Sequence, residues 1–310
     1  MSGTFFYKGH NTRHAENGAD AARQRTSAHA PAQQRTRAGA TAAQHPTQRV
    51  RLRTIALPTE HGGWGLALEP VVLGLLVAPT VAGLFLAVAT LGAFLARHPL
   101  KIIAGDRRRH GRRFPRTAAA ERFALLYGSV ALAGFFGATV SAVNYQFIIP
   151  LLLAAPFAFV QLAYDATGRS RALAPELAGS FAMAAVSTAI TLAAGWTHAA
   201  SFGLWIILAA RVVPAILYVH ARLKQLHGER VLAAPVIAVH SGALAVSLLL
   251  VRLNIAPLLA AAALFVLLLR AAHGISSYGT ETTAKQVGIR EICYGALTVL
   301  FVAAGHLLSL

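Results

Sequence analysis

The sequence predicts an all-α, polytopic membrane protein, a transmembrane bundle of about nine helices, on three observations. Hydrophobic residues make up 56% of the 310 positions and charged residues only 13%, about half the charged fraction of soluble domains. Apolar stretches of about 17 to 25 residues recur from Leu66 onward, the length that crosses roughly 30 Å of hydrocarbon at about 1.5 Å per residue. Lysine and arginine then gather on alternate connections, as the positive-inside rule requires when spans are counted correctly.

Residues 1–53 come first and differ in kind, with nine Lys or Arg, four His and few large apolar residues. Such a stretch cannot bury enough surface to offset its ordering entropy, which predicts a disordered basic tail ahead of a transmembrane domain at 54–310. It lacks the apolar core of a secretory signal, and its Arg-rich, acid-poor make-up has a transit-peptide cast. The other account of the tail is a start downstream, near Val50.

Nine spans follow, at 63–79, 81–97, 119–141, 147–165, 174–195, 200–219, 233–251, 255–272 and 288–308. Their breaks fall at Pro79-Thr80, the Arg-rich run after Arg97, Asn144-Tyr145-Gln146, Gly168, Gly195, Gly228, Asn254 and Gly279. With this count the tail, Lys101 to Arg116, Arg169 and Arg171, Arg222 to Arg230 and Lys285 share one side, and Arg252 alone takes the other. The expected placement is a bacterial plasma membrane, N-terminus in the cytoplasm and C-terminus outside, with the long connections cytoplasmic.

The formal net charge of +17 would suggest nucleic acid on a soluble protein. Here the charges sit in the tail and at the ends of apolar runs, so membrane lipids are the expected partners and nucleic acid is not. The single cysteine, Cys293, excludes an internal disulfide and any cysteine-based metal site within one chain. No HExxH, EF-hand or P-loop pattern occurs, and no metal site is expected from the residues.

Chemistry-bearing residues cluster at the span ends. Glu60 and His61 precede the first span, beside Gly62, Gly63 and Gly65. They read either as dipole-matched interfacial groups or as an acid and base next to a backbone that a ligand can approach closely. Glu69 lies about two turns inside that span, and an ionisable group at such depth is a functional candidate that must have a partner. Glu60, His61 and Glu69 are the catalytic candidates.

Arg97 and Lys101, four apart around Pro99, share a helix face where proline ends or kinks the second span. Arg107 to Arg109 read better as topology signal and attraction to anionic lipid. Gln161 and Asp165 stand i,i+4 at the end of the fourth span, and Pro175 with Glu176 reads as the first turn of the fifth. Arg211, Tyr218 and Arg222 lie within about 40° of one another on a helical wheel, a polar stripe running to the cytoplasmic surface. Arg211 is deep, and an ion pair with Glu69 or a ligand role both fit it. Arg270 with Glu291 reads as a structural pair, and His240 as a hydrogen-bonded core histidine.

Through Glu60-His61-Gly62-Gly63-Trp64, Glu69-Pro70, Arg97-His98-Pro99-Leu100-Lys101 and Asp106-Arg107-Arg108, the sequence resembles the YwiC-like family of bacterial membrane proteins, from about Pro58 to Leu310. More distantly it is similar to UbiA-type intramembrane prenyltransferases, on the nine-span topology and the stretch Tyr164 to Gly179 with Arg169, Arg171, Pro175 and Glu176. That resemblance implies a UbiA-like arrangement with a cytoplasmic-facing site. It also implies two Asp-rich motifs for magnesium and a prenyl diphosphate, but the corresponding positions here carry Arg97, Lys101, Arg211 and Arg222, with only Asp106 and Glu229 nearby.

The expectation is a basic cavity that binds an anionic lipid, isoprenoid or quinone headgroup through Arg97, Lys101, Arg169, Arg171, Arg211, Tyr218 and Arg222. A divergent, magnesium-dependent prenyltransferase and a transporter are the two alternatives. Neither the cofactor nor the oligomeric state is fixed by the sequence.

Overall fold

In hydrocarbon every backbone N–H and C=O must be satisfied within the protein, so spanning segments of this length form helices. The computed structural model describes residues 52–57, 61–110, 114–170, 172–276 and 283–309, all within the unit Arg49–Leu310. The expected basic tail lies outside the described residues.

Among the described residues the chain is all helical. In order the helices are α1 (Leu52–Ala56), α2 (His61–Val77), α3 (Val81–His110), α4 (Pro115–Ser141), α5 (Ile148–Ala166), α6 (Leu173–Ala193), α7 (His198–Leu226), α8 (Ala233–Arg252), α9 (Leu258–Ser276) and α10 (Ala284–Leu308). A short 3-10 turn, Tyr145–Phe147, leads into α5, where Asn144 Oδ1 accepts from the Gln146 N–H at 2.9 Å. The eight helices α3 to α10 are long and apolar enough to cross a membrane. With α2, which is apolar but shorter, they account for the nine expected spans.

Two boundaries differ from expectation in an instructive way. Arg97 and Pro99 do not end their helix, because α3 continues through the basic run to His110. Its last turns are held by α4: Asp106 is buried, and it accepts from Arg116 Nε at 3.0 Å and from Thr117 Oγ1 at 2.7 Å. The seventh helix likewise runs on past 219 to Leu226, where Gly228 takes a left-handed φ of 81° to reverse the chain.

The core helix is α6, which packs on α2, α3, α5 and α7. Ala184, Ala185, Ser187, Thr188, Ala189, Thr191 and Ala193 are all buried along it. Small residues of this kind bring helix axes close where no hydrophobic force drives association. Their hydroxyls are satisfied locally: Thr188 Oγ1 donates to the Ser201 carbonyl of α7 at 2.8 Å, and Thr191 Oγ1 to the Ser187 carbonyl at 3.1 Å.

Glycine does the same work between α3 and α4. A Cβ at Gly92 would stand 2.8 Å from the Tyr127 carbonyl oxygen, and one at Gly134 would stand 2.6 Å from the Ala89 nitrogen. The outer faces of α4 and α5 carry exposed Leu125, Leu132, Phe136, Val140, Leu152 and Phe159, as a lipid-facing surface requires.

Successive helices alternate in direction. The N-termini of α2, α4, α6, α8 and α10 therefore meet the C-termini of α3, α5, α7 and α9 at one end. That end holds Arg97, Lys101, Arg107, Arg108, Arg116, Arg169, Arg222, Lys224 and Lys285, whereas Arg252 closes α8 at the other.

Candidate functional site

Buried charge inside a bundle has to be matched, and four helices, α2, α7, α9 and α10, contribute to the matching of the deepest charges here. Glu69 of α2 and Arg211 of α7 are 8% and 3% exposed, and their Oε1 and Nη2 are 3.0 Å apart. The same Arg211 Nη2 donates to the Glu291 backbone carbonyl of α10 at 2.9 Å. The pair fits because α10 carries Gly295 one turn further on, where a Cβ would overlap Glu69 Oε1 and Arg211 Nη2. Arg270 of α9 pairs with the Glu291 side chain and lies over the rings of Tyr218 and Tyr294, at 3.9 and 4.9 Å from their centroids. Both ion pairs expected from the sequence are thus present.

Nearer the end of the bundle, Arg97 of α3 grips Asp165 of α5 with two hydrogen bonds, Nε to Oδ2 at 2.5 Å and Nη2 to Oδ1 at 3.1 Å. The Gln161 carboxamide lies against the same guanidinium, and with its oxygen turned inward it accepts from Nη2 at 3.1 Å and Nη1 at 3.2 Å. Glu176 of α6 meets His220 of α7 at 2.7 Å. Lys101 donates to Ser170 Oγ at 2.7 Å.

These groups surround a cavity of about 420 Å³ between α2, α3, α6, α7 and α10. Arg97, Gln161, Ser170, Glu176 and His220 form its polar rim, and Glu69 with Arg211 its floor. Leu66, Ala215, Ile216, Val219 and Ile292 supply apolar walls. Ile292 is also 42% exposed, so the α10 edge of the cavity borders the lipid-facing surface. Glu69 Oε2 and Arg211 Nε, an acceptor and a donor of the same ion pair, are buried without a hydrogen-bond partner in the protein.

The expected binding set is only partly brought together. Arg97 and Arg211 line this cavity, and Lys101 lines a second one between α1, α3 and α4. Tyr218 and Arg222 do share a buried stripe with Arg211, but only Arg211 reaches the cavity, and the other two turn to α9. Arg222 Nη1 donates to the Gly274 carbonyl at 2.9 Å, and Tyr218 packs under Arg270. Beside Arg211 the cavity takes Ala215, Val219 and His220, which lie about 40°, 80° and 180° around the helix from it. Arg169 is exposed and lines neither cavity. Glu60 and Arg171 lie outside the described residues, as does the side chain of His61.

The expectation of a basic cavity also needs correction. Glu69, Glu176 and Glu291 line it alongside Arg97, Arg211 and His220, and each lining arginine is matched to a carboxylate. Sequence reasoning missed Asp165 as the partner of Arg97 and missed His220 altogether. The spacing of Gln161 and Asp165 on one face was the available signal for the first, and nothing local marked the second. His240 is a core residue as expected, buried with Nδ1 2.8 Å from the Val236 carbonyl.

Among the described residues no group of three His, Cys, Asp or Glu could hold a metal ion. Asp165, Asp106, Glu69, Glu291 and Glu176 are each paired with an arginine or histidine, so they do not form the cluster of free carboxylates that a magnesium–diphosphate site needs beside the phosphates.

Residues 57–191 match the family model described as YwiC-like protein. The match covers α2 to α5 and nearly all of α6, and it takes in Glu69, Arg97, Asp165 and Glu176. It stops short of α7, so Arg211 and His220 fall outside it, and it is narrower than the resemblance read from the sequence. No curated protein and no solved structure matches the chain.

Proposed function

We propose that this membrane protein binds an amphiphile, an isoprenoid or lipid with an anionic or hydroxylated headgroup, in the cavity between α2, α7 and α10. The observation that carries the reading is the cavity's division into a polar rim and floor, joined by apolar walls that run out to the exposed Ile292. Pockets of this size and mixed lining are the default sites for small amphiphilic ligands. Arg97 offers a planar guanidinium to a phosphate, carboxylate or carbonyl oxygen. Glu69 Oε2 and Arg211 Nε complement a group that both donates and accepts, such as a hydroxyl or a quinol oxygen.

In this reading the end of the bundle that holds the basic residues faces the cytoplasm of a bacterial plasma membrane. Orientation of the headgroup by Arg97 and His220 would leave the tail between α2 and α10. A UbiA-like arrangement remains compatible with the order of the helices. Magnesium-dependent prenyl transfer is the weaker reading, because the acidic groups of the site are already paired.

The test is mass spectrometry of lipids and small molecules that co-purify in mild detergent with the intact chain, Arg97→Gln and Ala215→Leu. The expected result is an isoprenoid, quinone or specific lipid enriched with the intact chain and depleted at least tenfold in both variants. Bulk phospholipid alone, equal in all three, overturns the reading and moves transport ahead, to be measured as solute flux in liposomes.

A further inference from the structure

The outward stripe of α2 carries exposed Leu68, Val72 and Leu76. Gly65 belongs to the same stripe, about 20° from Val72 and Leu76 at about 100° per residue, so the stripe lacks a side chain in the first turns of the helix. The first cavity lies behind that gap, since Gly63, Gly65 and Leu66 line it. Across the seam, α10 packs on α2 and repeats the pattern. Ile289 and Ile292 are exposed, whereas Gly288 lines the cavity, and a Cβ there would meet nothing within 4 Å. A Cβ at Gly65 would stand 3.5 Å from Ile292 Cγ1, so a single isoleucine side chain spans the seam at this level. Deeper in the bundle the seam is shut, because Glu69 of α2 lies against Gly295 of α10.

We infer that the seam between α2 and α10 admits and holds one apolar chain of a membrane-resident amphiphile, so that Gly65 and Gly288 decide what the first cavity accepts. The inference rests on the amphiphile reading and narrows it to single-chain ligands, such as a fatty acid or a linear isoprenoid with a polar head. Glycine at both positions leaves a slot about as wide as one missing side chain. One polymethylene or isoprenoid chain has that width, and a diacyl lipid carries two. The cavity itself, about 420 Å³, lies toward the small end of the range of about 300–1,000 Å³ for small-ligand sites. Beyond the seam the head meets a group that needs a partner, because buried Glu69 lines the cavity and its Oε2 has no hydrogen bond. The chain meanwhile stays in apolar surroundings, between Leu66 and Ile292 and out to the bilayer.

The experiment places the full chain in phosphatidylcholine nanodiscs with a palmitic acid that carries a mid-chain diazirine and a terminal alkyne. Photolysis is followed by mass-spectrometric mapping of the adducts. A second set uses phosphatidylcholine bearing the same tagged chain. Both sets compare the intact protein, Gly288→Leu, Gly288→Ala and Ala215→Leu, which narrows the cavity itself, and co-purifying lipids are measured for each. A Cβ at 288 has open space around it, and the alanine variant gives a graded loss that stays readable if the leucine variant fails to fold. Adducts at Leu132 and Leu152, on the exposed faces of α4 and α5, report bulk lipid contact.

Fatty-acid adducts on residues 63–66 and 288–292 that exceed the bulk level at least threefold, and fall at least fivefold in Gly288→Leu, support the seam. Adducts there at the bulk level, or unchanged in Gly288→Leu, overturn it, and equal labelling by the two-chain probe overturns the restriction to one chain. A lipid that co-purifies with Gly288→Leu as with the intact chain, but is lost with Ala215→Leu, overturns the seam and leaves the amphiphile site standing. Seam adducts that need Gly288 and survive Ala215→Leu support the seam and overturn the first cavity as the seat of the ligand.

Discussion

A methyl group at position 295 would occupy the space held by Glu69 Oε1 and Arg211 Nη2, so the smallest side chain in α10 decides whether two of the deepest charges can meet. Gly295→Ala forces the pair apart or displaces α10, and it is expected to cost about 1–3 kcal/mol, read as a lower thermal midpoint in detergent. Gly242→Ala is the contrast. A Cβ there meets nothing within 4 Å, and the gain in helix propensity predicts a midpoint unchanged or slightly raised. Arg211→Ala strands Glu69 in a buried site and is expected to cost about 3–5 kcal/mol, with Glu69→Gln recovering part of the loss in the double variant. Thermal unfolding of the two single variants and the double checks this. The Glu69–Arg211 pair was legible in the sequence because both groups are ionisable and deep, and hydrocarbon leaves such groups no alternative to a partner. His220 was not, since a histidine near a helix end is compatible with water, lipid headgroups or a carboxylate alike.

At the scale of elements, hydrophobic length and turn residues were enough to place nearly every helix, but not to say which neighbour each face would meet. The stripe of Arg211, Tyr218 and Arg222 illustrates the gap. Angular spacing correctly puts the three on one face, and only the packing of α7 shows that Tyr218 and Arg222 meet α9 while Arg211 reaches the cavity floor. The run after Arg97 illustrates another. Proline and a string of arginines argue for an end, yet α3 continues because Arg116 and Thr117 of α4 hold Asp106 near its final turns. The contact between α3 and α4 is itself set by glycines. Gly134→Leu places a branched side chain where the Phe85 carbonyl lies 2.8 Å from the ideal Cβ, and it is expected to separate the two helices. Size-exclusion elution of a fluorescent fusion checks this as loss of the monodisperse peak, with Gly128→Leu, where a Cβ meets nothing within 4 Å, as the control.

Across the whole molecule, basic residues gather at one end, which gives the orientation a direct test. In a Cys293→Ser background, an impermeant maleimide added to intact cells is expected to label Leu253→Cys, in the turn after α8, and to spare Glu229→Cys, in the turn after α7. The reverse pattern inverts the proposed topology, and labelling of both removes the alternation of spans. The family match and the first cavity overlap only in part: α2 to α6 supply Glu69, Arg97 and Glu176, and α7 and α10 supply the opposite side. The length of α2 has a consequence for the surrounding bilayer. Its 17 residues reach about 25 Å, several Å less than the hydrocarbon layer, while α3 beside it has 30 residues. Such a mismatch thins the adjoining leaflet or draws headgroups and water inward along the short helix. A lipid leaving that dimpled patch for the cavity would travel less far, so occupancy should rise as the acyl chains of the host membrane are shortened.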